Sequence, residues 1–434
     1  MLRTKKRASP RPEVFTLIEQ SLLPGRALCA HRRARDEDTL SAETVLEELT
    51  LLADSAGLEV AGSRLFPHAA PFHPGTLFGP GQVELLKEQI AATGADLLLV
   101  DHATTPIQAA NLSKALEVEV MDRTALILWI FAQRARTREG KLQVELARLE
   151  YQMGRLVRGW THLERQRGGI GVRGGPGETQ IELDRRMIRD RMDRIKDDLG
   201  KVKRHRDNQR QGRKQRPLPG IALVGYTNAG KSTLFHRLTE KGVLIADQLF
   251  ATLDPTVCGL DLPSGQRIVL SDTVGFIRHL PHMLVAAFRA TLEEVLEARL
   301  LLHVVDISDP EWQRSVDAVE EVLRELGADE IPVLMVANKI DRLPEPVLPE
   351  GWVGISALTG EGIEGLLQVV DAHLEEDRRT RPLSLPVADG ATIAWIKSRG
   401  KVEQEQIEEL EWRGIVTLTV EDWGRLERML RGND

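Results

Sequence analysis

The sequence predicts an α/β protein of several domains, and three features of the chain indicate this fold class. Between residues 43 and 130, strand-like apolar runs alternate with helix-like segments, as they do around a parallel sheet. Residues 139–207 repeat apolar side chains in heptads, which is typical of an antiparallel helical hairpin. From residue 217 strands and helices alternate again, and a small α+β unit follows them.

We expect four domains along the 434 residues. The buried run LLLV (97–100) in the first domain is typical of a strand in a parallel sheet. We interpret the histidines of this domain as structural or exposed residues rather than as ligands, and they are His68, His73 and His102. The four expected domains are an N-terminal α/β domain (1–130), a basic helical hairpin with a glycine-rich tip and a linker (131–216), a second α/β domain (217–376) and a small α+β domain (383–434).

The composition is that of an ordered globular protein, with 42% hydrophobic and 28% charged residues. Its two cysteines, Cys29 and Cys258, fit neither a disulfide framework nor a zinc site, which favours a reducing compartment. No apolar run has the length of a membrane span. The basic start, MLRTKKRASPRP, lacks an apolar segment behind it, so a solvated tail is favoured over a transit peptide. We expect a cytoplasmic monomer without a stable membrane anchor, and peripheral attachment at a membrane is the alternative.

The net charge of −7 conceals an asymmetry. The block from Arg134 to Arg216 holds about 24 Lys and Arg against about 12 Asp and Glu, so it carries roughly +12. A basic block joined to acidic domains favours a polyanionic partner, of which nucleic acid is the obvious class. An ordinary solvated helical face is the alternative.

The two heptad seams meet at a glycine-rich loop from Gly168 to Gly177. Within it, GIGVRG (169–174) matches a dinucleotide-binding pattern, but no strand precedes it, so we reject that match. The loop is longer than a connector needs, which favours a slim cationic tip that contacts phosphates, with a flexible connector as the alternative. The candidate contact residues are Gly169, Gly171, Arg173, Gly174 and Gly175. The seam residues are Leu142, Leu146, Leu149, Met153, Leu156, Trp160 and Leu163, then Ile181, Ile188, Met192, Ile195, Leu199 and Val202.

The segment GYTNAGKS (225–232) has the spacing of a phosphate-binding loop, or P-loop. The apolar strand IALV (221–224) precedes it and a helix-like segment follows, which is the context that such a loop requires. Its backbone N–H groups can converge on phosphate oxygens at a helix N-terminus. Lys231 adds charge at the β and γ phosphates, and the Ser232 hydroxyl is a candidate Mg²⁺ ligand. The loop residues are Gly225, Tyr226, Thr227, Asn228, Ala229, Gly230, Lys231 and Ser232.

Two further motifs suit a switch that responds to the γ-phosphate. Asp272, at the end of the strand RIVLSD (267–272), can hold the Mg²⁺ shell, and the Gly275 N–H can reach the γ-phosphate. In FATLD (250–254), Thr252 is the best candidate to close on Mg²⁺. We expect Lys231, Thr252 and Gly275 to be catalytic, and Ser232 and Thr252 to bind the metal. The residues of the two motifs are Phe250, Ala251, Thr252, Leu253 and Asp254, then Asp272, Thr273, Val274 and Gly275.

The last two motifs predict selectivity for guanine. Asp341 can accept two hydrogen bonds from guanine, whereas adenine offers no such pair of donors and would leave the carboxylate unpaired. Asn338 would brace the loop, and the stem of Lys339 would cover the base. The five motifs in this order predict a GTP-binding protein that hydrolyses GTP with Mg²⁺. The residues of the last two are Asn338, Lys339, Ile340 and Asp341, then Ser356, Ala357 and Leu358, whose backbone can donate to guanine O6.

One position departs from the Ras-type pattern. Ras-type proteins follow the switch glycine with a glutamine that orients the attacking water, whereas this chain has Phe276 after Gly275. Because phenylalanine cannot hydrogen-bond water, we expect slow intrinsic hydrolysis and completion of the site by a partner or another loop. The alternative is that Phe276 only packs, and that the backbone holds the water.

The same segments resemble a known family, the HflX GTPases, within the group that includes Obg and Era. The resemblance rests on FATLDPT (250–256), on LSDTVGFIRHLPHMLVAAFRATLEE (270–294) and above all on KLQVELARLEYQMGRLVRGWTHLERQRGGIGVRGGPGETQIELDRR (141–186). It implies a GTPase that binds the large ribosomal subunit and splits or rescues ribosomes under stress. It also implies that the loop from Gly168 to Gly177 contacts rRNA, that Ser232 and Thr252 ligate Mg²⁺, and that the ribosome supplies what Phe276 cannot.

A different class of function stays open, namely an ATP-driven, helicase-like RNA-remodelling enzyme with a second nucleotide site in the N-terminal domain. The family has been linked to an ATP-related activity of this domain, but residues 1–130 contain no phosphate loop that supports it. A membrane signalling GTPase is disfavoured, because the sequence has no lipidation motif.

Overall fold

The computed structural model describes residues 25–35, 39–67, 72–166, 176–213, 218–239, 250, 256–278, 293–376 and 378–431. These residues form two compact units. The first unit contains the described residues up to Ile130 together with 154–166, and the second contains 131–153 and the described residues from 176 onward. None of the described helices combines the length and the hydropathy that a bilayer crossing requires.

A four-stranded parallel sheet forms the centre of the first unit, with the spatial order β2–β1–β3–β4. The chain runs from β1 to β2 on one side and then crosses to β3 on the other side of β1. The sheet therefore has a topological switch point between β1 and β3. The strands are β1 (Arg26–Arg32), β2 (Glu59–Phe66), β3 (Leu97–Val100) and β4 (Glu119–Asp122).

Helices cover this sheet and bury its apolar side chains. The side chains of Leu28, Leu86 and Leu98 are fully buried in the shared core. The strand β3 is the one predicted from the run LLLV, whereas β1 and β2 were not predicted, because RALCAHR and EVAGSRLF interrupt their apolar residues with charged or small ones. The helices are α1 (Thr39–Ser55), α2 (Pro80–Thr93), α3 (Pro106–Leu116) and α4 (Arg123–Arg134).

Two long helices follow, α5 (Arg138–Gln166) and α6 (Pro176–Arg213). Arg191 of α6 pairs with Glu145 of α5 at 2.7 Å, and Asp198 of α6 interacts electrostatically with Arg138 of α5. The earlier residue of α5, Arg138, is close to the later residue of α6, Asp198, and the later residue Glu145 is close to the earlier residue Arg191. The two helices therefore run antiparallel, as the heptads predict. The seam residues Ile188 and Ile195 are buried.

The ends of α6 differ from the sequence-based expectation. The helix begins at Pro176, inside the segment Gly168–Gly177 that was assigned to the tip loop, because proline suits the first helical turn. It also continues to Arg213, almost to the end of the expected hairpin and linker (131–216), since its last turns are rich in the good helix formers Gln and Arg. The candidate contact residues Gly169, Gly171, Arg173, Gly174 and Gly175 lie outside the described residues.

A six-stranded sheet in the second unit has the order β10–β9–β8–β5–β7–β6, with only β6 antiparallel to its neighbour. Its core includes Leu223, Leu302 and Val336. The parallel strands bring the segments that follow β5, β7, β8 and β9 to one edge. The strands are β5 (Gly220–Val224), β6 (Thr256–Asp261), β7 (Arg267–Asp272), β8 (Leu300–Asp306), β9 (Val333–Asn338) and β10 (Val353–Gly354). The helices are α7 (Lys231–Thr239), α8 (Glu293–Leu296), α9 (Trp312–Leu326) and α10 (Ile363–Glu376).

The C-terminal part is a three-stranded antiparallel sheet with the order β11–β13–β12, packed against two helices through Trp412 and Trp423. Its edge strand β12 carries Glu403, Glu405 and Glu408, and a β-bulge occurs where Gln404 has a positive φ of 51°. The elements are β11 (Arg378–Pro386), α11 (Gly390–Arg399), β12 (Lys401–Glu408), β13 (Glu411–Thr419) and α12 (Val420–Arg431).

The strand β11 begins five residues before the expected start of the C-terminal domain at residue 383. The helix α10 ends at Glu376, and Arg378 begins a strand that pairs with β13 along its whole length. Non-local pairing with β13 supplies the hydrogen bonds, so the local sequence does not reveal the strand.

Candidate nucleotide site

The candidate nucleotide site lies at the carboxyl edge of the six-stranded sheet. β5 ends at Val224 and α7 begins at Lys231, so residues 225–230 form the turn between them. Gly230 has a φ of +95°, and a Cβ atom there would collide with the side-chain amide of Asn338. Only glycine fits this position, because it has no Cβ atom and adopts positive φ without strain.

Lys231 is almost completely buried beneath this turn, with 5% exposure. Its ammonium donates hydrogen bonds to the carbonyl oxygens of Gly225 and Tyr226 at 2.9 and 2.7 Å. Burial lowers the pKa of Lys231 to about 8, although the charge of Asp272 opposes the shift. Phosphate oxygens carry charge and would be stronger acceptors for this ammonium than the two carbonyls are.

His303 of β8 is a second buried titratable group close to this loop. Its side chain is 1% exposed, and burial together with the charge of Lys231 lowers the pKa of His303 to about 4. The imidazole is therefore neutral at physiological pH, and it adds no positive charge to that of Lys231.

Ser232 and Asp272 lie together where a metal ion would be held. The Ser232 Oγ donates a hydrogen bond to Asp272 Oδ2 at 2.8 Å, and Asp272 is buried. A hydroxyl and a carboxylate are the hard oxygen groups that Mg²⁺ prefers, with phosphate and water filling its remaining positions. These residues therefore fit a magnesium ion. Thr252, the other expected ligand, lies outside the described residues, as do Ala251, Leu253 and Asp254.

The segment after β7 is joined to the phosphate loop through the backbone. The Phe276 N–H donates to the Gly225 carbonyl at 3.1 Å, and the Thr227 N–H donates to the Phe276 carbonyl at 2.6 Å. Gly275 lies against Thr227, whose Cα atom would be 2.9 Å from a Cβ at position 275. The Phe276 side chain is 1% exposed, so it packs in the interior and does not face solvent.

Two further contacts hold the segments on either side of the loop. The Phe250 N–H donates to Thr227 Oγ1 at 3.1 Å, and its ring packs edge-on against Phe131. The Arg278 N–H donates to the Tyr226 hydroxyl at 2.8 Å. Sequence analysis singled out Phe250 and Tyr226, but nothing in the local pattern marked Arg278.

The guanine motif is fixed to the phosphate loop through one buried amide. Asn338 Nδ2 donates to the Ala229 carbonyl at 2.8 Å, and Asn338 Oδ1 accepts from the Ala357 N–H at 2.9 Å. This side chain therefore connects the phosphate loop with the segment after β10. Asp341 lies in a short 3₁₀ helix, Ile340–Arg342, with its side chain exposed.

Lys339 has an ion-pair partner that sequence analysis did not identify. Its Nζ lies 2.6 Å from Asp306 Oδ2 at the end of β8, and Asp306 Oδ1 accepts from the Ser308 hydroxyl. On the other side of the site, Arg237 of α7 donates to the carbonyls of Ala357 and Leu358. The end of an apolar strand was a usable signal for Asp306, whereas Arg237 is far from its partners in sequence and has no such signal.

The fold and this site together define a P-loop GTPase. The chain is 52% identical over 411 residues to the GTPase HflX of Magnetococcus marinus, with 93% of this chain and 94% of the relative covered. It is 49% identical to the GTPase HflX of Escherichia coli, with 88% and 91% covered. The chain belongs to the HflX family of GTPases, and it is a GTP hydrolase.

Family models match most of the chain. They are described as GTP-binding GTPase N-terminal (43–132), GTP-binding GTPase Middle Region (134–213) and 50S ribosome-binding GTPase (220–339). A solved structure of a GTP-binding protein from Sulfolobus solfataricus in complex with GDP shares 24% identity with this chain and has a TM-score of 0.43. The matched region spans 80% of this chain and 98% of the chain in that structure. The identity and the TM-score are too low for this structure to support the family assignment further.

Proposed function

We propose that this protein is a ribosome factor whose action is controlled by GTP binding and hydrolysis. It binds the large ribosomal subunit and its rRNA, and it splits or rescues ribosomes under stress. The match of residues 220–339 to the family described as 50S ribosome-binding GTPase supports this proposal. So does the excess of basic residues in α5 and α6, because rRNA is a polyanion. We further propose a cytoplasmic monomer with the four domains 1–130, 131–216, 217–376 and 383–434.

The burial of the Phe276 side chain supports the proposal that a partner stimulates GTP hydrolysis. Its side chain is buried at the position where Ras-type proteins place the water-orienting glutamine. The free protein therefore lacks a side chain that would position water at this point, and we propose that the ribosome completes the site.

We propose that the motifs divide the chemistry of a P-loop GTPase among them as follows. Residues 225–232 hold the phosphates, with Lys231 as the cation, and residues 338–341 and 356–358 select guanine. Ser232 and Thr252 ligate Mg²⁺, which neutralises phosphate charge when it is bound. The Gly275 N–H and the segments 250–254 and 272–275 respond to the γ-phosphate.

Turnover measurements test the proposal directly. GTP hydrolysis by the purified protein is measured alone, with large ribosomal subunits and with small ribosomal subunits. We expect large subunits to raise the rate by at least ten-fold, and a rate that is the same in all three conditions would overturn the proposal. Light scattering of intact ribosomes then reports whether the protein with GTP separates the subunits.

Charge reversal on α6 tests the basic surface. Arg189 and Arg194 are exposed on this helix. The double variant Arg189→Glu/Arg194→Glu should weaken ribosome association by ten-fold or more and reduce its salt dependence, because fewer phosphate contacts release fewer counterions. The control Arg324→Glu/Arg428→Glu changes the net charge equally at exposed positions outside α5 and α6. Equal losses of ribosome affinity in the two double variants would contradict a role for the basic surface of α6.

The ATP-driven alternative has its own discriminating result. It requires adenine nucleotide binding that persists in a Lys231→Ala variant, because its site is not the phosphate loop. ATP binding that is absent from the wild type, or lost together with GTP binding in this variant, would eliminate it.

A further inference from the structure

Three side chains meet at the switch point of the parallel sheet in the first unit. His31 is the penultimate residue of β1, and Asp101 and His102 directly follow β3. The carboxyl ends of strands on either side of a switch point border a crevice in which parallel sheets commonly bind ligands. One nitrogen of each imidazole and one Asp101 oxygen lie within 4.8 Å of one another.

The separation of His31 from Asp101 fits two ligands of one metal ion. His31 Nδ1 lies 3.4 Å from Asp101 Oδ2. This distance exceeds the usual N–H···O range of about 2.7–3.2 Å. It matches the roughly 3.4 Å that separates two ligand atoms of a tetrahedral zinc ion with bonds of about 2.1 Å. Burial raises the pKa of Asp101, but a proton on His31 lowers it through a hydrogen bond, and a metal ion with these bond lengths could take the place of that proton between the two atoms.

The surrounding hydrogen bonds are those that orient metal ligands. A metal-bound histidine usually donates its other N–H to a carbonyl, and a metal-bound carboxylate is itself hydrogen-bonded. His102 Nε2 lies 2.6 Å from the Arg32 carbonyl oxygen, and donation there leaves the lone pair of the neutral ring on Nδ1. Asp101 Oδ1 accepts from Arg123 at 2.8 Å, and its Oδ2 is the oxygen nearer to His31.

Two carboxylates, Asp101 and Glu48, lie beside the candidate ligands. Arg123 also donates to Glu48 at 2.8 Å, so this one guanidinium is shared between two carboxylates. The Arg32 guanidinium lies over the Phe72 ring, 4.7 Å from its centroid, and that ring contacts His102.

We propose that His31, Asp101 and His102 bind a divalent transition-metal ion of the zinc class. Two imidazoles and a carboxylate suit zinc, cobalt or ferrous iron, whereas magnesium and calcium prefer all-oxygen sites. Three protein ligands leave a position for water or for a substrate group. The site revises the interpretation of His102 as a merely structural residue, and it uses no residue of the phosphate loop.

Cobalt titration tests this site in the full-length protein. The protein is freed of metal with a chelator and titrated with Co²⁺ in the absence of nucleotide, and the visible ligand-field absorption is recorded. We expect one equivalent to give the intense bands of four- or five-coordinate Co²⁺, and one equivalent of Zn²⁺ to remove them. His31→Gln and His102→Gln should each weaken Co²⁺ binding by at least about ten-fold. The control His373→Gln alters an exposed histidine on α10 and should bind as the wild type does.

The proposal is overturned if the wild type gives no such bands, or if both histidine variants bind Co²⁺ like the wild type. Because His31 is buried and its replacement could disturb folding, X-ray absorption of the Zn²⁺-loaded wild type gives a measurement without a variant. Nitrogen and oxygen neighbours at about 2.0–2.2 Å are expected. A sulfur neighbour, or a shell of oxygens alone, would assign the metal to other residues and overturn the proposal as well.

Discussion

At the level of single residues, Asp306 fixes the lysine of the guanine motif. Lys339 and Asp306 are 15% and 23% exposed, so solvent screens their ion pair only in part. We expect Asp306→Asn to free the lysine stem from the place over the base that we propose for it, and to speed GDP dissociation by about three- to ten-fold, in line with ~1 kcal/mol. Stopped-flow release of a fluorescent GDP measures this.

A neighbouring carboxylate provides the control for this prediction. Asp309 accepts from the Glu311 backbone N–H and has no described contact with Lys339, so Asp309→Asn should leave GDP release unchanged. In a Lys339→Met background, Asp306→Asn should not change the rate of GDP dissociation further. If it speeds GDP dissociation there as much as in the wild type, Asp306 does not act through Lys339.

Lys231 gives GDP binding a pH dependence. The phosphates favour its protonated form, whereas burial lowers the pKa of Lys231 to about 8. Affinity should therefore be constant at lower pH and decrease as the pH rises through this value, by about four-fold between pH 7 and 8.5. Calorimetric titration with GDP across this range measures the change. A Lys231→Arg variant keeps its charge and should give a flat profile, and a parallel decrease in both proteins would contradict the assignment.

What the sequence predicts at this scale depends on how local the contacts are. Lys231, Ser232 and Asp272 were identified because they lie at fixed spacing within motifs that follow apolar strands. Asp306 lies at the end of an apolar strand, which is a usable signal, but its partner Lys339 follows the next strand, so no local pattern shows the pair. Arg237 reaches carbonyls more than a hundred residues away and has no local signal. The cluster of His31, Asp101 and His102 was not predicted for a related reason. Its residues come from the ends of two different strands, and one of these strands, β1, was itself not predicted.

At the level of elements, the helical hairpin depends on its buried seam. Ile195 of α6 is 2% exposed, and Ile195→Ala would remove buried apolar atoms and leave a cavity. We expect this change to lower the free energy of unfolding by about 2–4 kcal/mol. Hydrogen exchange of the α5 and α6 amides shows whether the loss of stability is located in the hairpin. The control Met187→Ala, at a position 40% exposed on the same helix, should change the free energy of unfolding by less than about 0.5 kcal/mol.

Elements with their own periodicity were predictable, and elements that exist through distant pairing were not. The heptads of α5 and α6 encode both the helices and the contact between them. The polar stretch of β11 has no such pattern, and its partner β13 begins more than thirty residues after the start of β11. The nucleotide-domain strands IALV and RIVLSD were predictable because each is a short apolar run next to a recognisable motif.

For the whole molecule, the C-terminal sheet should be separable from nucleotide binding. Its core is built around Trp412, Trp423 and Ile396 of its own elements. The described hydrogen bonds among the nucleotide motifs involve residues before 378. Removing residues 378–434 should therefore change GDP affinity by less than about two-fold, because the truncation leaves those contacts in place. Calorimetry on the truncated and full-length proteins measures this, and a loss of more than ten-fold would contradict it.

The exposed edge of β12 has a consequence for the behaviour of concentrated protein. An open strand can template the stacking of one molecule on the next. Here the three glutamates, each paired with a basic side chain, make the strand highly charged, and the bulge at Gln404 spoils a flat template. Colloidal stability at neutral pH is thus built into this strand. The bulge is a barrier to fibrillar growth along this edge that does not depend on charge.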